Sequence, residues 1–177
     1  MTAYVALLRA VNVGGTGKLS MIVLKAHCEA AGFAAVKTYI ASGNVVFRSG
    51  ASEARVKAAL EKRLEAATGK PLGVLVRTER EIADVVARNP FADKPGNRVV
   101  ALFVDGPLPP SPLAGASGRD KEEVRLGKRE LFVFYPDGQG QSRLKLPSQK
   151  IGTARNMNTV AKLAEMSAAL AAGQAGA

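Results

Sequence analysis

Two stretches of this chain are apolar at nearly every position, and they resemble each other. Tyr4 to Val11 reads YVALLRAV, and Val99 opens the run VVALFVDG. Short runs of β-branched and aliphatic residues form strands, and a strand without polar alternation is buried on both faces. Each therefore needs a layer on either side. In a small α+β protein one layer is helical, and the other is a second sheet, a loop or a partner chain.

The flanking segments predict what surrounds the first run. Ser20 caps a helix in which Met21, Leu24, Cys28 and Ala31 recur at helical spacing, and Gly32 ends it. Val36 to Ile40 and Val45 to Arg48 form two strands across Ala41-Ser42-Gly43-Asn44, a spacing that suits a hairpin. A second helix is predicted from Ser52 to Thr68, with Val56, Leu60 and Leu64 on one stripe and Gly69 behind it. A strand follows over Leu72 to Arg77. The order through Arg77 is β-α-β-β-α-β, the split arrangement of a ferredoxin-like plait.

The remainder repeats this pattern in degraded form. Thr78 and Glu81 make a capping box for a helix that Asn89-Pro90 stops. Beyond the VVALFVDG strand, Val124 to Leu126 and Leu131 to Tyr135 form a hairpin around Gly127-Lys128. Gly106 to Gly118 is too rich in Pro and Gly for a long regular element. Tyr135-Pro136-Asp137-Gly138 is turn chemistry, and a last helix runs from about Asn156 to Leu170. The expected fold is α+β, with two ferredoxin-like (split βαβ, α-β plait) halves, the second degenerate. They occupy residues 1–77 and 78–170, followed by a frayed tail at 171–177.

Several function classes fall away. No apolar run approaches the roughly 20 residues of a membrane-spanning helix. The N-terminal residues read as a first strand rather than a secretory signal, and the single cysteine, Cys28, allows no intramolecular disulfide, so a cytoplasmic location is expected. His27 and Cys28 adjoin each other with no further His or Cys for a triad or metal cluster, and no pair of carboxylates is singled out by spacing. Neither a metal nor a cofactor is expected, and no catalytic residue is assigned.

Charge points to the partner. Twenty-five Lys and Arg against fifteen Asp and Glu give +10, and residues 1–77 carry +7 of it. Met1 to Cys28 and Gly138 to Ala164 contain no acid. The first of these stretches holds Arg9 within its apolar run, on the face of Val5, Leu7 and Val11, where it is either paired internally with a carboxylate such as Asp105 or aimed at a ligand; Asn12-Val13-Gly14-Gly15-Thr16-Gly17-Lys18 follows. That segment lacks the Gly and the Ser/Thr of a phosphate-binding P-loop, since Asn12 and Leu19 stand there, but it keeps the elements of a generic anion loop. The second holds Arg155-Asn156-Met157-Asn158-Thr159, where capping explains one polar side chain and not the whole set. The candidate ligand-binding residues are Arg9, Asn12, Gly14, Gly15, Lys18, Ser42, Asn44, Arg155, Asn156 and Asn158. The expected partner is an anionic ligand, either nucleic acid or a phosphorylated metabolite, with Arg9 and Arg155 supplying charge-assisted bonds. Sheet aromatics for base stacking are missing from Asn44-Val45-Val46-Phe47, so contact with nucleic acid would be through the backbone. An enzyme acting on a small anionic substrate, and a purely structural or interaction protein, are the alternatives.

The segments LLRAVNVGG, YIASGNVVF, NPF, YPDG and TARNMNTV occur in order along nearly the whole chain. Together they resemble a mainly bacterial family of small proteins catalogued as a domain of unknown function. The resemblance implies two plait-like repeats and brings no activity, cofactor or catalytic residue. Met157 stands where an aromatic, commonly Trp, is found in many relatives, and the Lys145-to-Ile151 stretch is shorter than theirs.

Overall fold

The computed structural model describes residues 1–9 and 19–173. The chain divides into two compact units, one formed by Met1–Ala83 with Leu163–Ala177, the other by Asp84–Lys162. Each contains a four-stranded antiparallel sheet.

In the first unit the elements are β1 (Thr2–Leu8), α1 (Met21–Ala30), β2 (Ala34–Tyr39), β3 (Asn44–Ser49), α2 (Glu53–Thr68) and β4 (Val74–Thr78). The strands lie in the order β2-β3-β1-β4. The local signals work as their chemistry requires. Ser20 caps α1 by accepting from the Ile22 N–H, and Ser52 caps α2 by accepting from the Arg55 N–H. Gly69 ends α2 at φ 75°, a conformation that strains any residue with a Cβ.

Alternation along β1 sends Tyr4, Ala6 and Leu8 to one face, where they pack with Phe47, Val74 and Val76 under Leu24 and Cys28 of α1 and Val56, Leu60 and Leu64 of α2. Phe33 stacks on Phe47 with ring centroids 4.3 Å apart, and the Tyr4 hydroxyl donates to the Ala51 carbonyl. The opposite face carries Val5, Leu7, Val46, Leu75 and Arg77, all equally buried. Burial of both faces is what the unbroken run demands. At the start of β4, the Val74 N–H donates to Glu61 Oε1 and the Val74 carbonyl accepts from Lys57 Nζ, while Lys57 and Glu61 pair with each other at 2.5 Å.

α3 (Glu79–Ala87) begins with the predicted capping box. The Thr78 N–H donates to the Glu81 carboxylate, and the Glu81 N–H donates to Thr78 Oγ1.

The second unit holds β5 (Val99–Phe103), β6 (Glu123–Leu126), β7 (Glu130–Phe134) and β8 (Thr153–Asn156) in the order β6-β7-β5-β8, and α4 (Met157–Ala172) follows. This is the strand order of the first sheet, strand for strand. Sequence reasoning missed β8. Its four residues, TARN, were read as the polar approach to the last helix, yet they pair with β5 from Val100↔Asn156 to Phe103↔Thr153. A short polar segment becomes a strand when a central strand offers it an edge, a tertiary effect without local signature. No α-helix lies between β5 and β6 or between β7 and β8. Instead, Leu108 from the 106–118 loop, with Leu144 and Leu146 from the segment before β8, covers Val100, Leu102, Val124, Leu131 and Val133. The two covering segments meet in an isolated bridge, Ser117↔Lys145.

Candidate functional site

Three candidates converge at one end of the first sheet. β1 ends at Leu8, so Arg9 is the first residue beyond the strand rather than within it. The Leu8 N–H donates to the Gly43 carbonyl, and the Arg9 N–H donates to the Gly73 carbonyl, each at 2.9 Å. Arg9 is thus flanked by the Ser42-Gly43-Asn44 turn on one side and the entry to β4 on the other. A Cβ at Gly73 would lie 3.0 Å from Cδ of Arg9, so the missing side chain gives the arginine stem its bed. Asn44 is fully buried and donates through Nδ2 to the Tyr39 carbonyl at 3.0 Å and to Ser42 Oγ at 2.9 Å, which fixes the turn. Asn12, Gly14, Gly15 and Lys18 lie outside the described residues.

In the second unit, Arg155 is buried on β8, where Nη1 donates to Thr153 Oγ1 and to the Ala154 carbonyl. Burial lowers its pKa to about 10. Asn156 accepts the Thr159 N–H through Oδ1 at 3.0 Å and so caps the first turn of α4. Asn158 is exposed, and its Oδ1 lies against Gly96, leaving no room there for a Cβ.

The duplicated topology reveals positions that sequence reasoning passed over. Val5 pairs with Arg77 and Ala101 pairs with Arg155, so each fourth strand carries a buried arginine beside the first strand of its sheet. Each donates from Nη1 to the carbonyl of the preceding residue. Likewise Leu7 pairs with Asn44 and Phe103 with Glu130, placing a buried polar residue at the head of each third strand. Glu130 accepts from the Lys128 and Arg129 N–H groups and from Arg88 Nη2 at 2.7 Å. Burial opposes the Arg88 charge, but its bonds to Asp84 and Glu130 outweigh it and raise the arginine pKa. A register-aligned comparison of the two halves is the signal that would have found Arg77 and Glu130.

Among the described residues no group of three His, Cys, Asp or Glu side chains could hold a metal ion, and no helix is long and apolar enough to cross a membrane. Cys28 is buried, and desolvation followed by the Glu29 charge pushes its thiol up to about 12, which marks it as a packing residue rather than a nucleophile.

Two successive split-βαβ sheets, the first covered by helices and the second by loops, define an α+β protein of duplicated plaits. The chain belongs to the family described as Protein of unknown function (DUF1697), whose model matches residues 1–132. Its fold is similar to that of the conserved bacterial protein SP0830 from Streptococcus pneumoniae. The likeness covers 94% of this chain and 98% of that one, with 24% identity and a TM-score of 0.78. At that identity the likeness speaks for the fold alone. No curated protein matches the chain.

Proposed function

We propose that the protein is a basic binding module for an anionic ligand, a nucleic acid or a phosphorylated small molecule, which it meets at the end of the first sheet. The observation that carries this reading is the setting of Arg9. It leaves a buried strand beside a hydrogen-bonded turn, with its stem laid on Gly73. A guanidinium held this way loses little freedom on binding and offers a fork suited to phosphate or carboxylate. The acid-free sequence from Met1 to Cys28 keeps repulsive charge away, and Asn12, Gly14, Gly15 and Lys18 enter the reading from sequence alone. Arg155 and Asn156, engaged with their own strand and helix start, serve the architecture of the second unit.

The test is fluorescence anisotropy with a labelled single-stranded oligonucleotide and a labelled nucleoside triphosphate. Arg9→Ala is expected to weaken binding by about tenfold or more, the size of a lost charge-assisted hydrogen bond, whereas Arg155→Ala lowers stability and leaves affinity near wild type. A steep loss of affinity with salt identifies the polyanion, and a shallow one the small molecule. Unchanged affinity in Arg9→Ala refutes this site.

A further inference from the structure

The second unit contains a cleft of about 320 Å³ between the loop before β6 and the Tyr135-Pro136-Asp137-Gly138 turn, lined by none of the candidate ligand-binding residues. The turn forms as the sequence predicts, closed by the Gly138 N–H on the Tyr135 carbonyl. On the cleft wall stands Glu122, only 7% exposed. Ser142 Oγ donates to Glu122 Oε1, and the Asp120 N–H donates to Oε2 at 2.7 Å. The Ser142 bond, the backbone bonds and the nearby Arg119 charge hold the Glu122 pKa below the ordinary carboxylate range, so it is ionised at neutral pH. Arg119 itself donates from Nε to the Glu122 main-chain carbonyl, not to the carboxylate.

The carboxylate is therefore charged and buried, and it is held only by neutral donors. Among the described residues it has no ion pair, and its oxygens accept from the Ser142 hydroxyl and from backbone N–H groups. A carboxylate so placed presents a negative charge to the cleft. Tyr135 lines the same cleft, is 3% exposed, and among the described residues its hydroxyl has no hydrogen-bond partner. At the rim, Lys121 is paired with Asp137 at 3.4 Å, whereas Arg143 is exposed and has no ion pair among the described residues. A little-exposed carboxylate and a tyrosine thus line, together with the exposed Arg143, one space of small-molecule size.

We infer that this cleft binds a small zwitterion of the α-amino acid class, its ammonium on Glu122 and the Tyr135 hydroxyl and its carboxylate at Arg143. The site is independent of the anion-binding end of the first sheet.

The test is ¹H–¹⁵N NMR titration of the full chain with the common α-amino acids one at a time, and with ethanolamine and acetate, each of which lacks one of the two charges. At least one amino acid is expected to give saturable shifts confined to residues 118–122 and 135–143, with ethanolamine and acetate weaker by about tenfold or more. Arg143→Ala, a change at an exposed side chain, is expected to weaken binding by about tenfold with the rest of the spectrum unmoved. Tyr135→Phe, which keeps the ring in place, is expected to lose severalfold, and Glu122→Gln the most. No saturable shift with any amino acid, shifts centred outside the cleft, or ethanolamine binding as tightly as the best amino acid would each overturn the proposal.

Discussion

The two sheets share strand order, pairing register and the placement of buried polar residues, yet they are covered by different material. Over β1 and its neighbours lie two α-helices with a regular apolar stripe; over β5 and its neighbours lies loop, anchored by Leu108, Leu144 and Leu146. The comparison teaches that the sheet, not the helical layer, is the invariant of this plait. A sheet face asks only that apolar atoms exclude water from it, and two loop segments that bring three leucines can do that. What helices add is density and rigidity, and loops leave space between their side chains, which is where the second unit has its cleft.

That difference can be broken by mutation. Leu60→Ala, on the buried face of α2, is expected to cost about 3–5 kcal/mol, because helices cannot collapse into the void. Leu146→Ala, in the loop layer, should cost only about 2 kcal/mol, because its backbone can settle. Equal losses in urea unfolding would mean that the loop layer is as stiff as the helical one. The equivalent buried polar residues should also separate. Glu130→Ala strips Arg88 of a buried partner and leaves two hairpin N–H groups unmet, for about 3 kcal/mol. Asn44→Ala loses neutral bonds only, for about 1–2 kcal/mol. The reverse order would show that the two positions do not play the parts their register suggests.

A smaller effect sharpens the helical side. Ser52→Ala, which removes the cap of α2, is expected to cost about 1 kcal/mol and to speed amide exchange in the first turn. The gentlest probe is pH, and the two units should answer it at opposite ends. Glu122 has its folded pKa below the ordinary value of 4.5, so its contribution is present above 4.5 and fades as the pH falls through the lower folded value. Cys28 has its folded pKa raised from 9.0 to about 12, so its contribution is intact below 9.0 and fades as the pH rises through about 12. Carboxyl NMR titration of wild type and Ser142→Ala checks the first, the variant titrating higher. Alkylation of Cys28 at pH 9, slow in the native protein and fast in urea, checks the second.

Much of this fold was legible because its signals are local. Ser20, Ser52, Gly69 and the Thr78–Glu81 box mark helix ends through bonds made within a few residues, and both hairpins announce themselves by spacing. β8 was not legible, because TARN becomes a strand only when β5 lies alongside. Arg9 drew attention as a charge inside an apolar run, a contrast visible in one dimension. Glu122 and Ser142 did not, because twenty positions and an intervening hairpin separate them, and only the folded loops make them neighbours.

The clasp at the head of β4 has a meaning beyond the monomer. β4 is an outer strand, and an outer strand with open N–H and C=O groups is an invitation to further chains in extended conformation. At Val74 both groups are already occupied by Glu61 and Lys57 from a helix of the same chain. Two charged side chains one helical turn apart therefore act as a stopper against edge-to-edge polymerisation, one that neutralising Lys57 and Glu61 together would remove while leaving the hydrophobic core intact.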